Sequence, residues 1–184
     1  SNAPSKWGYR KVSQPINSGF TGPVYPVNPS EKEIQGLKVY PTVLDIPGHI
    51  DLAIITIPAK GIPKVMRQCV QKGVKGAIII SGGFAETSDE GKALQDEVVR
   101  VARAGNIRFV GPNVTGIWNE SSNLSLSSNQ ALAAGKISFI SQSGTFGAHL
   151  ASRAMEKGYG LSTFISIGNQ ADLSVTEYME YLGD

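Results

Sequence analysis

The chain has 184 residues, 41% hydrophobic and 17% charged, with a formal net charge of +2. That is the composition of a soluble globular protein: no apolar run approaches the roughly 20 residues that span a bilayer, and no clustered basic block argues for nucleic acid. A single cysteine, Cys69, excludes an internal disulfide or a multi-cysteine metal site, and with no signal peptide visible the cytoplasm is the expected compartment. Taken in order, Pro4 to Arg10 is a loop entering a helix, and Pro23–Val27 is a short β-rich strand. Leu52–Ile57 and Gly76–Ile80 are continuous apolar runs, as expected of strands covered on both faces of a parallel sheet. Ile107–Val110, Lys136–Ile140 and Ser162–Ser166 supply three more strands. Between them, Ile62, Val65, Met66, Cys69 and Val70 recur at helical spacing after Pro63 and before Gly73. Leu94, Val98, Val101 and Ala102 form a second stripe, and Phe146, Leu150, Ala151, Ala154 and Met155 a third that Gly158 stops.

Strand and helix alternate with short links, the pattern of a doubly wound α/β fold. The Ser/Asn-rich stretch from Asn119 to Gly135 carries no strong period and reads as a linker or long surface loop. The expected organisation is therefore one domain over residues 1–130 and the beginning of a second over 131–184.

Ligands of open α/β sheets bind beyond the carboxyl ends of the strands. Those ends read Val27-Asn28-Pro29-Ser30, Ile57-Pro58-Ala59, Ser81-Gly82-Gly83-Phe84 and Gly111-Pro112-Asn113. Turns of Gly, Pro, Ser and Asn permit close backbone approach to a phosphate-bearing ligand, although such residues also make ordinary tight turns. Ile140-Ser141-Gln142-Ser143-Gly144-Thr145 follows an apolar strand and leads into the third helix. It would present backbone N–H groups at the positive helix end, an anion site, or act as a plain N-cap. Ser-x-Ser-Gly lacks the first glycine of a nucleophile elbow.

No G-x-G-x-x-G is present: Gly19 to Gly22 has the wrong spacing and precedes a strand. The strand and glycine turn that open such a domain are expected upstream of Pro4. His49 and His149 have no metal-ligating neighbours at the right spacing and read as surface or supporting residues. Cys69 reads as a small buried hydrophobe, and Glu86 either orients a polar ligand group or is a solvated loop carboxylate.

The strand-end segments, with Pro4-Ser5-Lys6-Trp7-Gly8-Tyr9-Arg10 and Gly36-Leu37-Lys38-Val39-Tyr40-Pro41-Thr42-Val43, resemble the CoA-binding domain of ADP-forming acetyl-CoA synthetases. The succinyl-CoA synthetase alpha subunit is similar at greater distance. The resemblance implies an α/β protein, a Rossmann-like parallel-sheet CoA-binding domain followed by the start of a flavodoxin-like succinyl-CoA ligase domain. It implies CoA contacts at Ser5, Lys6, Asn28, Pro29, Pro58 and Ala59, a path to the thiol lined by Gly82, Gly83, Phe84 and Asn113, and a phosphate-binding helix start at Ser141, Ser143, Gly144 and Thr145. It further implies a carboxylic acid substrate, a phosphohistidine outside this sequence, and ATP/ADP with Mg in an ATP-grasp subunit or fused domain, within an oligomeric enzyme that this portion alone does not replace. Catalytic residues and metal ligands are not expected in this chain. Two positions depart from the family pattern: Ser30 stands where a lysine usually follows Asn-Pro, and Val114-Thr115-Gly116 stands where Cys-Leu-Gly is common. The alternatives are a CoA sensor, a CoA domain fused to a protein acetyltransferase, or an NAD(P)-binding dehydrogenase domain. The last would place a carboxylate at the second strand end, where Asn28-Pro29-Ser30 has none before Glu31.

Overall fold

The computed structural model describes residues 3–127 and 133–183. Helix α1 (Trp7–Asn17) opens the fold, followed by a two-stranded antiparallel ribbon of β1 (Glu33–Ile34) and β2 (Leu37–Lys38). Strands β3 (Leu52–Ile55), β4 (Gly76–Ile79) and β5 (Arg108–Val110) form a parallel sheet in that order. Helices α2 (Ile62–Lys72) and α3 (Asp89–Ala104) connect them. Ile62, Met66, Cys69, Val98 and Ala102 pack onto Ile55, Ala77, Ile79 and Phe109, forming the main core. The opposite face of β4 carries Ile78, which packs with Val114 and Leu126.

The second sheet comprises β6 (Ile117–Asn119), β7 (Leu124–Ser125), β8 (Ala134–Ser141) and β9 (Leu161–Ser166) in the order β7-β6-β9-β8. β8 and β9 are parallel; β6 runs antiparallel to β9 and to β7. Helix α4 (Gly144–Glu156) contributes Ala151 to a cluster with Trp118, Leu161 and Phe164, and α5 (Val175–Gly183) contributes Tyr178 to another with Ile165 and Ile167. Neighbouring residues of β9 thus belong to different clusters, as alternation along a strand requires.

Two sequence expectations change. Pro23–Val27 is no strand: only Val27 makes a bridge, to Tyr40. Pro23 and Pro26 lack the N–H donors a ladder needs. The stretch from Asn119 to Gly135 is in part ordered structure, because β6 and β7 form a hairpin within it and just before it, although residues 128–132 lie outside the described residues. The second sheet therefore draws on residues before the expected division at 130.

Local chemistry explains where the helices begin and end. Pro63 sits in the first turn of α2, and Gly73 ends it at φ 78°, a left-handed conformation that glycine adopts without penalty. Ser88 caps α3, accepting from Gly91 N–H at 3.0 Å, and Ser143 caps α4, accepting from Phe146 N–H at 3.3 Å. Cys69 is buried, and burial pushes its thiol up to about 11, the state of an inert core residue. Among the described residues no helix is long and apolar enough to cross a membrane.

Candidate functional site

Three of the four candidate turns stand side by side at the carboxyl ends of β3, β4 and β5, tied together by short bonds. The Ser81 hydroxyl donates to Ile57 C=O at 2.5 Å, and the Asn113 N–H donates to Ser81 C=O at 3.0 Å. Pro58 leads into a short 3-10 turn, Ala59–Gly61, ahead of α2. A Cβ on Gly83 would lie 3.3 Å from that of Ala59, and Gly83 itself has φ 99°. Both the tight approach and the left-handed backbone call for glycine. A Cβ on Gly82 would meet Asn113 Oδ1 at 3.2 Å and Glu86 Oε1 at 3.0 Å.

The start of α1 joins this edge, since a Cβ on Gly8 would lie 3.3 Å from Thr56 Oγ1. Ser5 and Lys6 are exposed just ahead of it. Asn28 and Pro29 stand on a turn of their own, where Asn28 Oδ1 accepts from the N–H and hydroxyl of Ser30, each at 2.9 Å, and from Glu31 N–H at 3.1 Å. The Phe84 side chain is fully buried among the core residues between sheet and helices. Only its backbone faces the turn, and its N–H donates to Glu86 Oε1 at 3.2 Å.

The helix start after β8 is equally crowded. Ser141 is buried and donates to Ser143 C=O at 2.8 Å, while Thr145 is exposed. A Cβ on Gly144 would lie 2.4 Å from both γ atoms of Thr115 and 2.8 Å from Ser166 Oγ. Thr115 follows Asn113 by two positions, so the two candidate regions meet there. They meet again at the loop after β9, where Gly168 N–H donates to Gln142 C=O at 3.2 Å, Asn169 N–H to Pro112 C=O at 3.0 Å, and Ala171 N–H to Gly111 C=O at 3.0 Å. The strand ends of both sheets thus meet in one contiguous region, stitched together by backbone hydrogen bonds.

The family model for the CoA binding domain matches residues 1–120, and that for the succinyl-CoA ligase like flavodoxin domain matches 134–184. The chain belongs to the CoA-binding-domain family. It is 44% identical over its whole length to the acetate–CoA ligase [ADP-forming] II subunit alpha of Pyrococcus furiosus, covering 40% of that protein. It is 36% identical to the 4-hydroxybutyrate–CoA ligase [ADP-forming] of Nitrosopumilus maritimus, with 94% of this chain aligned to 25% of that one. Among solved structures, the dinucleotide forming acetyl-coenzyme A synthetase 1 of Ca. Korarchaeum cryptofilum, in complex with phosphate and ADP, superposes with a TM-score of 0.92 at 35% identity, over 99% of this chain and 39% of that one. The chain therefore spans 40% or less of these relatives, and the resemblance read from the strand-end segments holds along nearly all of it.

Three residues around the candidate site were not singled out as site residues in the sequence. Lys11 is buried on α1 and donates to Gln14 Oε1 at 3.0 Å, Thr115 C=O at 2.7 Å and Leu126 C=O. All three partners are neutral oxygens. Burial, with a smaller push from the Arg10 charge, lowers the ammonium to about 7. Asn169 lies in Gly168-Asn169-Gln170, the same strand-end signature as Gly111-Pro112-Asn113, and was findable by that rule. Asp172 follows, buried and bonded to Arg103 and Arg108. His49 pairs with Asp51 at 3.0 Å on the surface, away from this chemistry.

The Lys11 environment makes a pH prediction. The folded lysine loses its proton near 7 and the unfolded one near 10.5, so in that window the unfolded chain binds more protons and stability rises with pH. Below about 7 both forms are charged and the desolvation cost is complete. Between pH 7 and pH 9 the protein is expected to gain on the order of 2 kcal/mol relative to Lys11→Met. Urea unfolding of both proteins at the two pH values measures this; parallel curves would mean that the lysine remains charged.

Proposed function

We propose that this chain is the CoA-binding part of a nucleoside-diphosphate-forming acid–CoA ligase, converting acid, CoA and ATP to acyl-CoA, ADP and phosphate. The observation that carries this reading is the contiguity of the two candidate regions: strand-end turns suited to a pyrophosphate-bearing cofactor run through Thr115 and Asn169 into the start of α4, a helix end suited to phosphate. In the thioester-forming step the CoA sulfur bonds to the acyl carbon of an acyl phosphate as the carbon–oxygen bond to phosphate breaks. Phosphate leaves with the electron pair, and the thiol proton ends on it.

In this reading Ser5, Lys6, Asn28, Pro29, Pro58 and Ala59 contact CoA, and Gly82, Gly83 and Asn113 border the route to its thiol. Ser141, Ser143, Gly144 and Thr145 hold the phosphoryl group, with the Ser143 hydroxyl and the Gly144 and Thr145 N–H groups at the start of α4 as donors. The phosphohistidine, the ATP-grasp module and its nucleotide and magnesium belong to the rest of the protein or to a partner subunit. The chain comprises a CoA-binding unit and the beginning of a ligase unit, with the division between residues 120 and 134 and the β6–β7 hairpin lent to the second unit's sheet. The Pyrococcus and Nitrosopumilus relatives, both named as ADP-forming acid–CoA ligases, support the reaction class.

The test is calorimetric titration of the full-length protein with CoA and, separately, NADH. Saturable binding of CoA and none of NADH is the expected result; the reverse would replace the ligase with a hydride-transfer enzyme. Lys6→Ala is expected to weaken CoA by about tenfold, the effect of one charge-assisted contact to phosphate, and to leave the KM for the acid unchanged. Equal losses on both would remove Lys6 from the CoA site.

A further inference from the structure

Glu86 touches both halves of the site. Its Oε1 accepts from Gly83 N–H at 2.6 Å and Phe84 N–H at 3.2 Å, and its Oε2 accepts from the Asn169 side-chain amide. Partial burial disfavours the charged carboxylate, yet the bonds from Asn169, Gly83 and Phe84 outweigh it and hold the group below its ordinary range. Asn169 extends the connection, because its amide also donates to Gln95 Oε1 at 3.0 Å on α3 and its Oδ1 accepts from the Asn113 amide at 3.5 Å. Although the residue is exposed, both of its carboxylate oxygens are engaged by the protein. Here one oxygen holds the glycine turn after β4 and the other holds the loop after β9, with N–H donors throughout and no cation in those bonds.

We infer that Glu86 is a positioning residue for thioester formation: it locks the Gly82–Phe84 turn to the Asn169 loop, fixing the thiol route against the phosphate-binding start of α4. This rests on the ligase reading above. Two groups that must meet within bond-forming distance lose rate steeply when their supports drift, while binding of the distant nucleotide end of CoA does not depend on that support. Glu86 is exposed and belongs to neither core cluster of the first sheet, so its truncation removes no core packing.

The experiment uses the full-length protein with its ATP-grasp module, assayed on a panel of carboxylic acids, with CoA affinity measured by calorimetry. Glu86→Ala and Asn169→Ala are each expected to lower kcat by about tenfold or more, with the CoA Kd within about threefold of the wild type. The double variant should be no slower than the slower single, because both act through one bond. Asn169→Ala leaves the Gly83 turn bonds in place, so its loss of rate at an unchanged melting temperature cannot be local unfolding. Unchanged kcat in Glu86→Ala, additive losses in the double variant, or a CoA Kd that rises in step with the loss of rate would each overturn the lock. A wild-type protein that binds CoA and turns over no acid would instead sink the ligase reading, and the inference with it.

Discussion

Gly144→Ala is expected to cost about 2–3 kcal/mol of stability and to abolish phosphate binding at the start of α4. The added Cβ would sit 2.4 Å from both Thr115 γ atoms and 2.8 Å from Ser166 Oγ. Rotating Thr115 exchanges one γ contact for the other. Neither neighbour moves freely, since Ser166 Oγ accepts from Thr115 N–H at 3.2 Å and Thr115 C=O accepts from Lys11 at 2.7 Å. The strain must then pass into the backbone of Ser143 and Gly144, where the anion donors are. Thr115→Ala is the rescue: Thr115 Oγ1 is buried without a hydrogen-bond partner among the described residues, so deleting it sacrifices no bond. Urea unfolding of the single and double variants measures the coupling, expected to recover at least half the loss. A Gly144→Ala protein within about 0.5 kcal/mol of the wild type would mean that the helix start yields easily and makes a poor preformed anion site.

The parts of this architecture that were legible in the sequence are those fixed by local pattern. Gly76–Ile80 could be read as a buried strand because adjacent residues of a covered strand must both be apolar, and Ile62, Met66 and Cys69 as a helix face because their spacing matches one turn. The strand read in Leu52–Ile57 is present as Leu52–Ile55, but only Ile55 of it is buried, as befits the edge of the sheet. The strand-end turns were legible because glycine, proline and asparagine mark sharp backbone. What escaped depends on distant partners. Ile117–Asn119 pairs with a strand far along the chain, and nothing in the polar sequence after it announces a hairpin. Val24 and Val27 suggested a strand whose neighbouring prolines cannot sustain a ladder. Phe84, set in a glycine-rich turn, suggested a ligand contact, yet the turn directs the ring into the core. Lys11 and Asp172 are charged residues, and their burial follows from tertiary contacts that composition does not encode.

Asp172→Ala is the other large effect expected, a loss of about 2–4 kcal/mol concentrated where the two sheets meet. Its carboxylate is wholly buried, accepting from Arg103 Nε at 3.1 Å, Arg108 Nε at 2.9 Å and Phe109 N–H at 3.0 Å. The arginines are more than half exposed and return to water when the partner is removed, so each ion pair contributes little. The Phe109 N–H is different. It is buried and loses its acceptor, which costs about 1–3 kcal/mol. Asp172→Asn keeps a carbonyl oxygen for that N–H and should lose no more than about half as much as alanine. Equal losses in both variants would shift the weight to the arginine charges. The neighbouring contact from Arg108 to Glu177 at 2.7 Å survives either change. The Ser174 backbone N–H first, then Arg108, lower Glu177 to about 2. Its contribution to stability is therefore complete above the ordinary carboxylate range and fades progressively as pH falls from about 4.5 to about 2, although the folded carboxylate itself stays charged until near 2. Moderate acid should consequently leave the Arg108–Glu177 contact in place in the alanine variant, and a melt at pH 4 that shows no further weakening relative to wild type would locate the damage at the Phe109 N–H.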